Sequence, residues 1–124
     1  MLPKENRLTR MKDYAILFEA GQYLPQKNFS LKYWRLEPDK YPRRKYSIKD
    51  LRIGFLVSKK IDKRAVVRNR LKRQMREVVR LLLQEKKVVG GYHLAFIAQA
   101  GSAKLEYTDI EKQMVALLQR AKII

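Results

Sequence analysis

The fold of this chain is decided by residues 65–84, which read AVVRNRLKRQMREVVRLLLQ. At 100° per residue, one set of apolar side chains falls within about 80° of arc, which is typical of the core-facing side of a helix. This set consists of Val67, Leu71, Met75, Val78 and Leu82. The other side of the same helix carries cations, namely Arg68, Arg70, Lys72, Arg73, Arg76 and Arg80. Like charges four residues apart destabilise an isolated helix by a few tenths of a kcal/mol per pair, so this side is expected to bind a polyanion.

The positive charge extends beyond the helix. From Lys59 to Arg80 the chain has ten Lys or Arg residues and two acids, and over its 124 residues the formal net charge is +17. A solvated helix usually mixes charges of both signs, and a membrane-surface helix carries bulky Trp, Phe or Leu on its apolar side. Neither pattern fits, and no apolar run approaches the roughly 20 residues of a membrane span. Nucleic acid is therefore the expected partner, and a membrane is not.

Working outward from the basic helix, we predict the remaining elements from periodicity. Residues 58–64 form a basic connector that ends at Arg64, outside the helix. Alternating patterns predict strands at residues 51–58 and 28–36, with residues 37–50 between them as a mobile loop. Residues 9–20 predict a first helix with Thr9 as its cap and Gly21 just past its end. A short strand at residues 22–26 has a weaker pattern.

The C-terminal third predicts a buried strand at residues 92–98 and a final helix. Thr108 and Glu111 have the spacing of a capping box, and the helix that follows has one apolar stripe: Ile110, Met114, Leu117, Leu118 and Ala121. The order is helix, strands, helix, strand, helix. We therefore expect an α+β fold with a mixed sheet, in a single small domain spanning residues 1–124.

No protein active site is apparent in the sequence. His93 is the single histidine, and it lies in a predicted strand without a second histidine or any cysteine. The carboxylates are scattered, and there is no glycine-rich phosphate loop. We therefore predict no catalytic residue and no metal ligand. The lack of cysteine also excludes a disulfide framework and fits a reducing cytoplasm, where we expect the chain to act.

The sequence GFLVSKK at residues 54–60, followed by RAVVRNRLKRQMRE at residues 64–77, resembles the signature of the bacterial ribonuclease P protein component. RNRLKR at residues 68–73 corresponds to that family's arginine-rich motif. Asn6-Arg7-Leu8 before an aromatic first helix, and Phe29 in the following strand, also occur in the family's order. The resemblance covers essentially the whole chain and implies a fold similar to the second domain of a small-subunit ribosomal protein.

The resemblance implies two sets of RNA-binding residues. In this family the arginine-rich helix and the loop before it contact a catalytic RNA, which here implies Lys60, Lys63, Arg64, Arg68, Asn69, Arg70, Lys72, Arg73 and Arg76. Asn69 could equally be a helix-start cap. The family also holds the single-stranded 5′ leader of precursor tRNA in a cleft, which here implies Tyr14, Phe18, Lys32, Trp34 and Lys59.

Some leader-binding assignments have alternatives. Tyr14 and Phe18 could equally be core residues, and Tyr14 is expected to be the more exposed of the two. Lys32 occupies a position where an aromatic is common in the family. The leader contact is then either ionic or supplied by stacking on Trp34.

The resemblance further implies that the chain is a subunit of the ribonuclease P endoribonuclease. The RNA and its Mg²⁺ ions would hydrolyse the phosphodiester, while the protein would broaden substrate binding and lower the Mg²⁺ requirement without a cofactor of its own. The alternative is a non-enzymatic basic RNA-binding protein such as a ribosomal protein. A DNA-binding regulator would need a helix-turn-helix partner before the basic helix, where a strand and a connector stand instead.

Overall fold

A mixed four-stranded sheet, with helices on both faces, organises the chain in the computed structural model, which describes residues 2–124. The helices are α1 (Met11–Ala20), α2 (Ala65–Gln84) and α3 (Tyr107–Arg120). The strands are β1 (Gln22–Pro25), β2 (Phe29–Arg35), β3 (Leu51–Leu56) and β4 (Tyr92–Ala98). The predicted α+β order is confirmed, and so is the short strand with the weak pattern.

The sheet order β1-β2-β4-β3 places the two longest strands at its centre. β2 runs antiparallel to β1 and to β4, with Lys32 opposite Ala95 and Trp34 opposite His93. β3 runs parallel to β4, so α2 is the crossover between them. This connection positions the basic helix beside β3 at one side of the sheet.

The two faces of the sheet pack against different helices. On one face, side chains such as Phe29 and Leu94 pack with the apolar sides of α2 and α3 in the larger core cluster. On the other face, Leu17 of α1 packs with Trp34 and Ala95 in a smaller cluster. Strands covered on both faces have apolar residues at consecutive positions, which explains the pattern of β4.

The predicted apolar stripe of α3 is buried, but both predicted helix caps are wrong. α3 begins with Glu106 at the N-cap, and no side chain caps it. α1 begins with Arg10 at the N-cap rather than Thr9, again without a side-chain cap. The backbone N–H groups of Asp13 and Tyr14 donate to the Arg10 carbonyl and close the first turn of the helix.

Gly21 is required for close packing rather than for a left-handed turn. Gly21 follows α1 directly, as predicted, but its φ of −79° is accessible to any residue, so it does not adopt the left-handed conformation that is common after a helix. A Cβ at this position would lie 2.5 Å from the Leu17 carbonyl oxygen and 2.8 Å from that of Tyr33. A side chain here would push α1 away from β2.

The loop of residues 37–50 is packed against the domain, which corrects the prediction of a mobile segment. It contains two short 3-10 turns, and its Tyr41 and Tyr46 contact Trp34 edge-on with ring centroids 5.5 and 5.7 Å away. Arg44 and Tyr46 both hydrogen-bond to Asp13 of α1. The loop therefore covers the side of α1 on which Asp13 lies.

Candidate RNA interface

α2 presents its cations away from the core as the periodicity predicts. Leu71, Met75, Val78 and Val79 are at most 1% exposed against the sheet and α3, and α2 begins at Ala65 as predicted. The cations do not form a single row, because neighbouring groups bind several of them. The side of α2 that faces away from the core is called the outer side below.

The connector before α2 is held by two of the predicted RNA-binding arginines. The Arg64 guanidinium donates to both carboxylate oxygens of Asp62, and those hydrogen bonds lower the pKa of Asp62 to about 2. The Arg68 guanidinium donates to the carbonyls of Asp62 and Lys63 at 3.0 and 2.8 Å. These contacts fix the connector as an exposed turn that presents Lys59, Lys60 and Lys63.

The outer side of α2 contains both unpaired and neutralised groups. Arg73 and Asn69 are exposed and have no hydrogen-bond partner within residues 2–124. Asn69 stands five residues after the Arg64 N-cap, so its alternative assignment as a helix-start cap is wrong. Arg70 bends toward the turn before α3 and donates to the Ala103 carbonyl at 2.9 Å. Arg80 pairs with Glu77, whose carboxyl pKa is lowered by that hydrogen bond.

Lys72 and Arg76 meet α1 in a groove of about 250 Å³, called the α1–α2 groove below. Tyr14, Phe55 and Arg7 also line it, so three cations surround two aromatic side chains, and no carboxylate is among the lining residues. Gly54 of β3 forms part of the floor, and a Cβ there would overlap the Tyr14 hydroxyl. The groove therefore brings together residues that the sequence assigns to two separate functions.

Tyr14 and Phe18 form a stacked pair one turn apart on α1. Their ring centroids are 6.5 Å apart with an interplanar angle of 21°. The Tyr14 hydroxyl donates to the Leu8 carbonyl at 2.9 Å, and burial raises its pKa. Phe18 is 41% exposed, whereas Tyr14 is half-buried, so the expectation that Tyr14 is the more exposed ring is wrong.

Lys32 and Trp34 share the sheet face that α1 covers, but only Lys32 reaches solvent. Lys32 is half-buried at the centre of β2. Trp34 is 4% exposed, because Tyr41 and Tyr46 cover its ring. Its ring therefore has no open face for a base, which corrects the prediction that Trp34 stacks on the leader. Of the two alternatives for this strand, the ionic contact through Lys32 fits the observed burial.

His93 is a buried residue and has no place in the interface. It is fully buried between Trp34 and Tyr46, with centroid distances of 6.0 and 5.0 Å, and burial lowers its pKa to about 4. Among residues 2–124, no three His, Cys, Asp or Glu side chains are grouped so that they could hold a metal ion. No helix in that range is long and apolar enough to cross a membrane.

The sequence did not reveal two features of the interface and one set of contacts beside it. The sequence indicates Arg7 only as part of the Asn6-Arg7-Leu8 motif, although Arg7 lines the α1–α2 groove. Gly54 allows the close approach of Tyr14, and a glycine inside a strand was a usable signal for such an approach. The Asp13–Arg44–Tyr46 contacts had no sequence signal, since the partners are 31 and 33 residues apart.

Comparison with known proteins identifies the family. The profile of the family described as Ribonuclease P matches residues 2–122. The ribonuclease P protein component of Clostridium botulinum is 38% identical over 120 residues, which cover 97% of each chain. That of a Pseudanabaena species is 33% identical over 124 residues, covering all of this chain and 97% of the relative.

Solved structures share the fold at lower identity. The RNase P protein of Staphylococcus aureus superposes with a TM-score of 0.77 at 22% identity, covering 97% of this chain and 98% of its own. That of Thermotoga maritima gives a TM-score of 0.72 at 21% identity, covering 93% and 96%. With a family profile that spans nearly every residue and relatives above 30% identity, this chain belongs to the ribonuclease P protein component family.

Proposed function

We propose that the outer side of α2 and the connector before it bind the catalytic RNA of ribonuclease P, while the α1–α2 groove and the Tyr14–Phe18 pair bind the 5′ leader of precursor tRNA. As a member of its family, the chain is the protein subunit of a tRNA-processing ribonucleoprotein and has an RNA partner. The division of its surface between that RNA and the substrate is our proposal.

The observation that carries the docking proposal is the set of cations without acidic partners on and before α2. Arg73, Lys60 and Lys63 are exposed, and none of them takes part in an ion pair within the described part of the chain. Phosphates supply the missing negative charge, and guanidinium groups bind them with two parallel hydrogen bonds. Each contact releases condensed counterions, which makes the affinity dependent on salt.

The support for leader binding is the combination of aromatic and cationic groups in one groove. Tyr14, Lys72 and Arg76 line the groove, and Phe18, which stacks on Tyr14 beside the groove, offers a partly exposed ring. Base stacking on such a ring contributes on the order of 1–3 kcal/mol and tolerates any sequence. Lys32 and Lys59 are the further cations that we assign to the leader phosphates. Such a site suits leaders of varied sequence.

We also place the chemistry on the RNA, with Mg²⁺ ions held by the RNA. The protein then contributes affinity for the substrate and neutralises phosphate repulsion, which lowers the Mg²⁺ concentration that cleavage requires. The cytoplasm remains the expected location. We propose no catalytic residue in the protein.

A reconstitution experiment tests this division of labour. Precursor tRNA is incubated with the ribonuclease P RNA of the same organism at low Mg²⁺, with and without the protein, and the protein is also assayed alone at high Mg²⁺. We expect cleavage at low Mg²⁺ only when both RNA and protein are present. Mg²⁺-dependent cleavage by RNA-free protein would overturn the assignment of catalysis to the RNA.

A further inference from the structure

The side of α1 that carries the Tyr14–Phe18 pair also carries an exposed thioether, that of Met11. At 100° per residue, Met11 lies about 20° around the helix axis from Phe18 and about 60° from Tyr14. Met11 is 88% exposed and Phe18 is 41% exposed. The three side chains therefore form one apolar row along α1, called the α1 stripe below, with Met11 at its N-terminal end.

The α1 stripe runs beside the α1–α2 groove. Thr9 and Tyr14, which stand on either side of Met11 in the chain, both line the groove, whereas Met11 does not. The Met11 side chain therefore lies at the surface next to the groove. At 1.5 Å per residue, the stripe is about 10.5 Å long from Met11 to Phe18. A single strand that stacks on Phe18 and continues toward the N-terminus of α1 meets the Met11 thioether next.

Burial distinguishes Met11 from the other methionines. The chain has four methionines, of which Met1 lies outside the described residues. Met75 and Met114 are 0% exposed and belong to the larger core cluster. An oxidant in solution needs access to the sulfur atom, so within residues 2–124 it reacts with Met11 before the two buried methionines.

A peroxide converts an exposed thioether into a sulfoxide. The O–O bond of hydrogen peroxide breaks, one oxygen forms a bond to sulfur, and the other takes both protons and leaves as water. The sulfur loses two electrons and the peroxide gains them. The product is a polar side chain in place of an apolar one. Arg10 and Lys12, which are exposed and in no ion pair within the described part of the chain, are donors for the new oxygen.

We propose, on the basis of the leader-binding role given above, that Met11 is a base-contacting residue of the α1 stripe and a site of reversible oxidation by peroxide. A thioether is polarisable and packs well against aromatic rings, whereas a sulfoxide favours water. Oxidation of Met11 then weakens the contact between the stripe and the leader. Methionine sulfoxide reductase reverses it: two thiols become a disulfide, and the oxygen leaves as water.

Oxidation of Met11 is expected to change leader binding without changing the stability of the domain. Leu17 holds α1 against the sheet, and Asp13 holds it to the loop of residues 37–50. Met11 belongs to neither core cluster. The free energy of unfolding should therefore be the same before and after oxidation, which separates a lost leader contact from a damaged domain.

The first test determines where peroxide reacts. The protein is treated with limiting hydrogen peroxide, the excess is destroyed with catalase, and the peptides are analysed by mass spectrometry. We expect one added oxygen atom at Met11 before any at Met75 or Met114. Oxidation of either buried methionine at the same rate as Met11 would overturn the proposed site.

The second test measures binding of precursor tRNA and of mature tRNA, which has no leader. Oxidised and untreated protein are each assembled with the ribonuclease P RNA of the same organism. We expect oxidation to weaken binding of precursor tRNA about fivefold and to leave mature tRNA unaffected. Treatment with the reductase and dithiothreitol should restore the affinity. An unchanged affinity for precursor tRNA, or an equal loss for mature tRNA, would overturn the proposal.

Two variants of Met11 control for the other methionines. Met11→Leu retains Met1, Met75 and Met114, so peroxide should leave its affinity for precursor tRNA at its own untreated value. Met11→Gln has a polar side chain of similar length and should bind precursor tRNA as weakly as the oxidised wild type does. A peroxide-dependent loss in Met11→Leu would assign the effect to another methionine and refute the site. Untreated wild-type affinity in Met11→Gln would refute the base contact.

This inference and the leader-binding proposal can fail independently. Tyr14→Ala is titrated beside the oxidised protein, because Tyr14 lines the α1–α2 groove and has no sulfur. If Tyr14→Ala weakens binding of precursor tRNA and oxidation of Met11 does not, only the role of Met11 is refuted. If neither change weakens it, leader binding at the α1–α2 groove and the Tyr14–Phe18 pair is refuted as well.

Discussion

Lowering the pH is expected to destabilise this domain through one residue, His93. Its side chain is fully buried, and both ring nitrogens lack a hydrogen-bond partner within the described residues. Burial lowers its pKa from the ordinary 6.5 to about 4, while Asp13 opposes the shift in part. The unfolded chain therefore binds a proton between these two pH values that the folded chain does not bind. Stability is full above pH 6.5 and is lost as the pH falls toward 4.

The magnitude follows from the two pKa values. Between the two pKa values of His93, each unit of pH decrease lowers the free energy of unfolding by about 1.4 kcal/mol. A change from pH 7.5 to pH 5 therefore lowers it by about 2 kcal/mol. This is a large part of the stability of a small domain, which is typically about 5–15 kcal/mol. His93 is the single histidine, and ordinary carboxyl groups titrate below pH 5, so no other side chain is expected to contribute comparably in this interval.

Urea unfolding at several pH values measures the effect, since urea does not screen the charges of this basic chain. His93→Phe and His93→Gln remove the titrating group while differing in shape, and both should give a free energy of unfolding that changes little between pH 7.5 and pH 5. A wild-type curve as flat as those of the variants would refute a buried neutral His93. An equal pH dependence in all three proteins would assign the effect to other groups.

Three further substitutions test the geometry. Asp13→Asn should lower the free energy of unfolding at pH 7 by about 2–3 kcal/mol, because the buried charge and its hydrogen bonds to the loop are lost. The difference from the wild type should begin to shrink as the pH falls below 3.8, the ordinary carboxyl pKa, and should be smallest below the lowered pKa of Asp13, where the folded wild type is protonated too. A constant difference would contradict this. Tyr14→Ala should weaken holoenzyme binding of precursor tRNA about tenfold without affecting mature tRNA, and equal losses would make the ring purely structural. Gly54→Ala should displace the Tyr14 ring and give the same leader-specific loss, whereas unchanged binding would place the leader elsewhere.

Periodicity in the sequence was sufficient to predict the main elements. The bounds of α2 and β4 agree with the predictions, because a long amphipathic helix and an unbroken apolar run depend on burial patterns that are local in sequence. The predicted caps at Thr9 and Thr108 are wrong, because capping depends on the local backbone geometry. The residue type favours that geometry but does not determine it. The resemblance correctly indicated the family, which excludes the ribosomal-protein alternative.

The parts of the site that could not be predicted depend on contacts between distant segments. Trp34 looked available for stacking because strand alternation cannot show that Tyr41 and Tyr46 fold back over it. The pairing of Arg80 with Glu77 could be predicted from the sequence, because residues three apart on a helix lie side by side. The attachment of the loop to Asp13 could not be predicted, because one charged residue on a short helix does not indicate its partner.

The central claim is that unpaired cations on the outer side of α2 bind the catalytic RNA, and one pair of variants tests it directly. Arg73→Ala removes an exposed unpaired cation, whereas Glu77→Ala/Arg80→Ala removes a neutral ion pair from the same helix. Affinity for the ribonuclease P RNA is measured over a range of salt concentrations for both variants and the wild type. We expect Arg73→Ala to lower the slope of log Kd against log salt by about 0.7–0.9 and the double variant to leave it unchanged. An unchanged slope for Arg73→Ala, or an equal loss in both variants, would contradict the account.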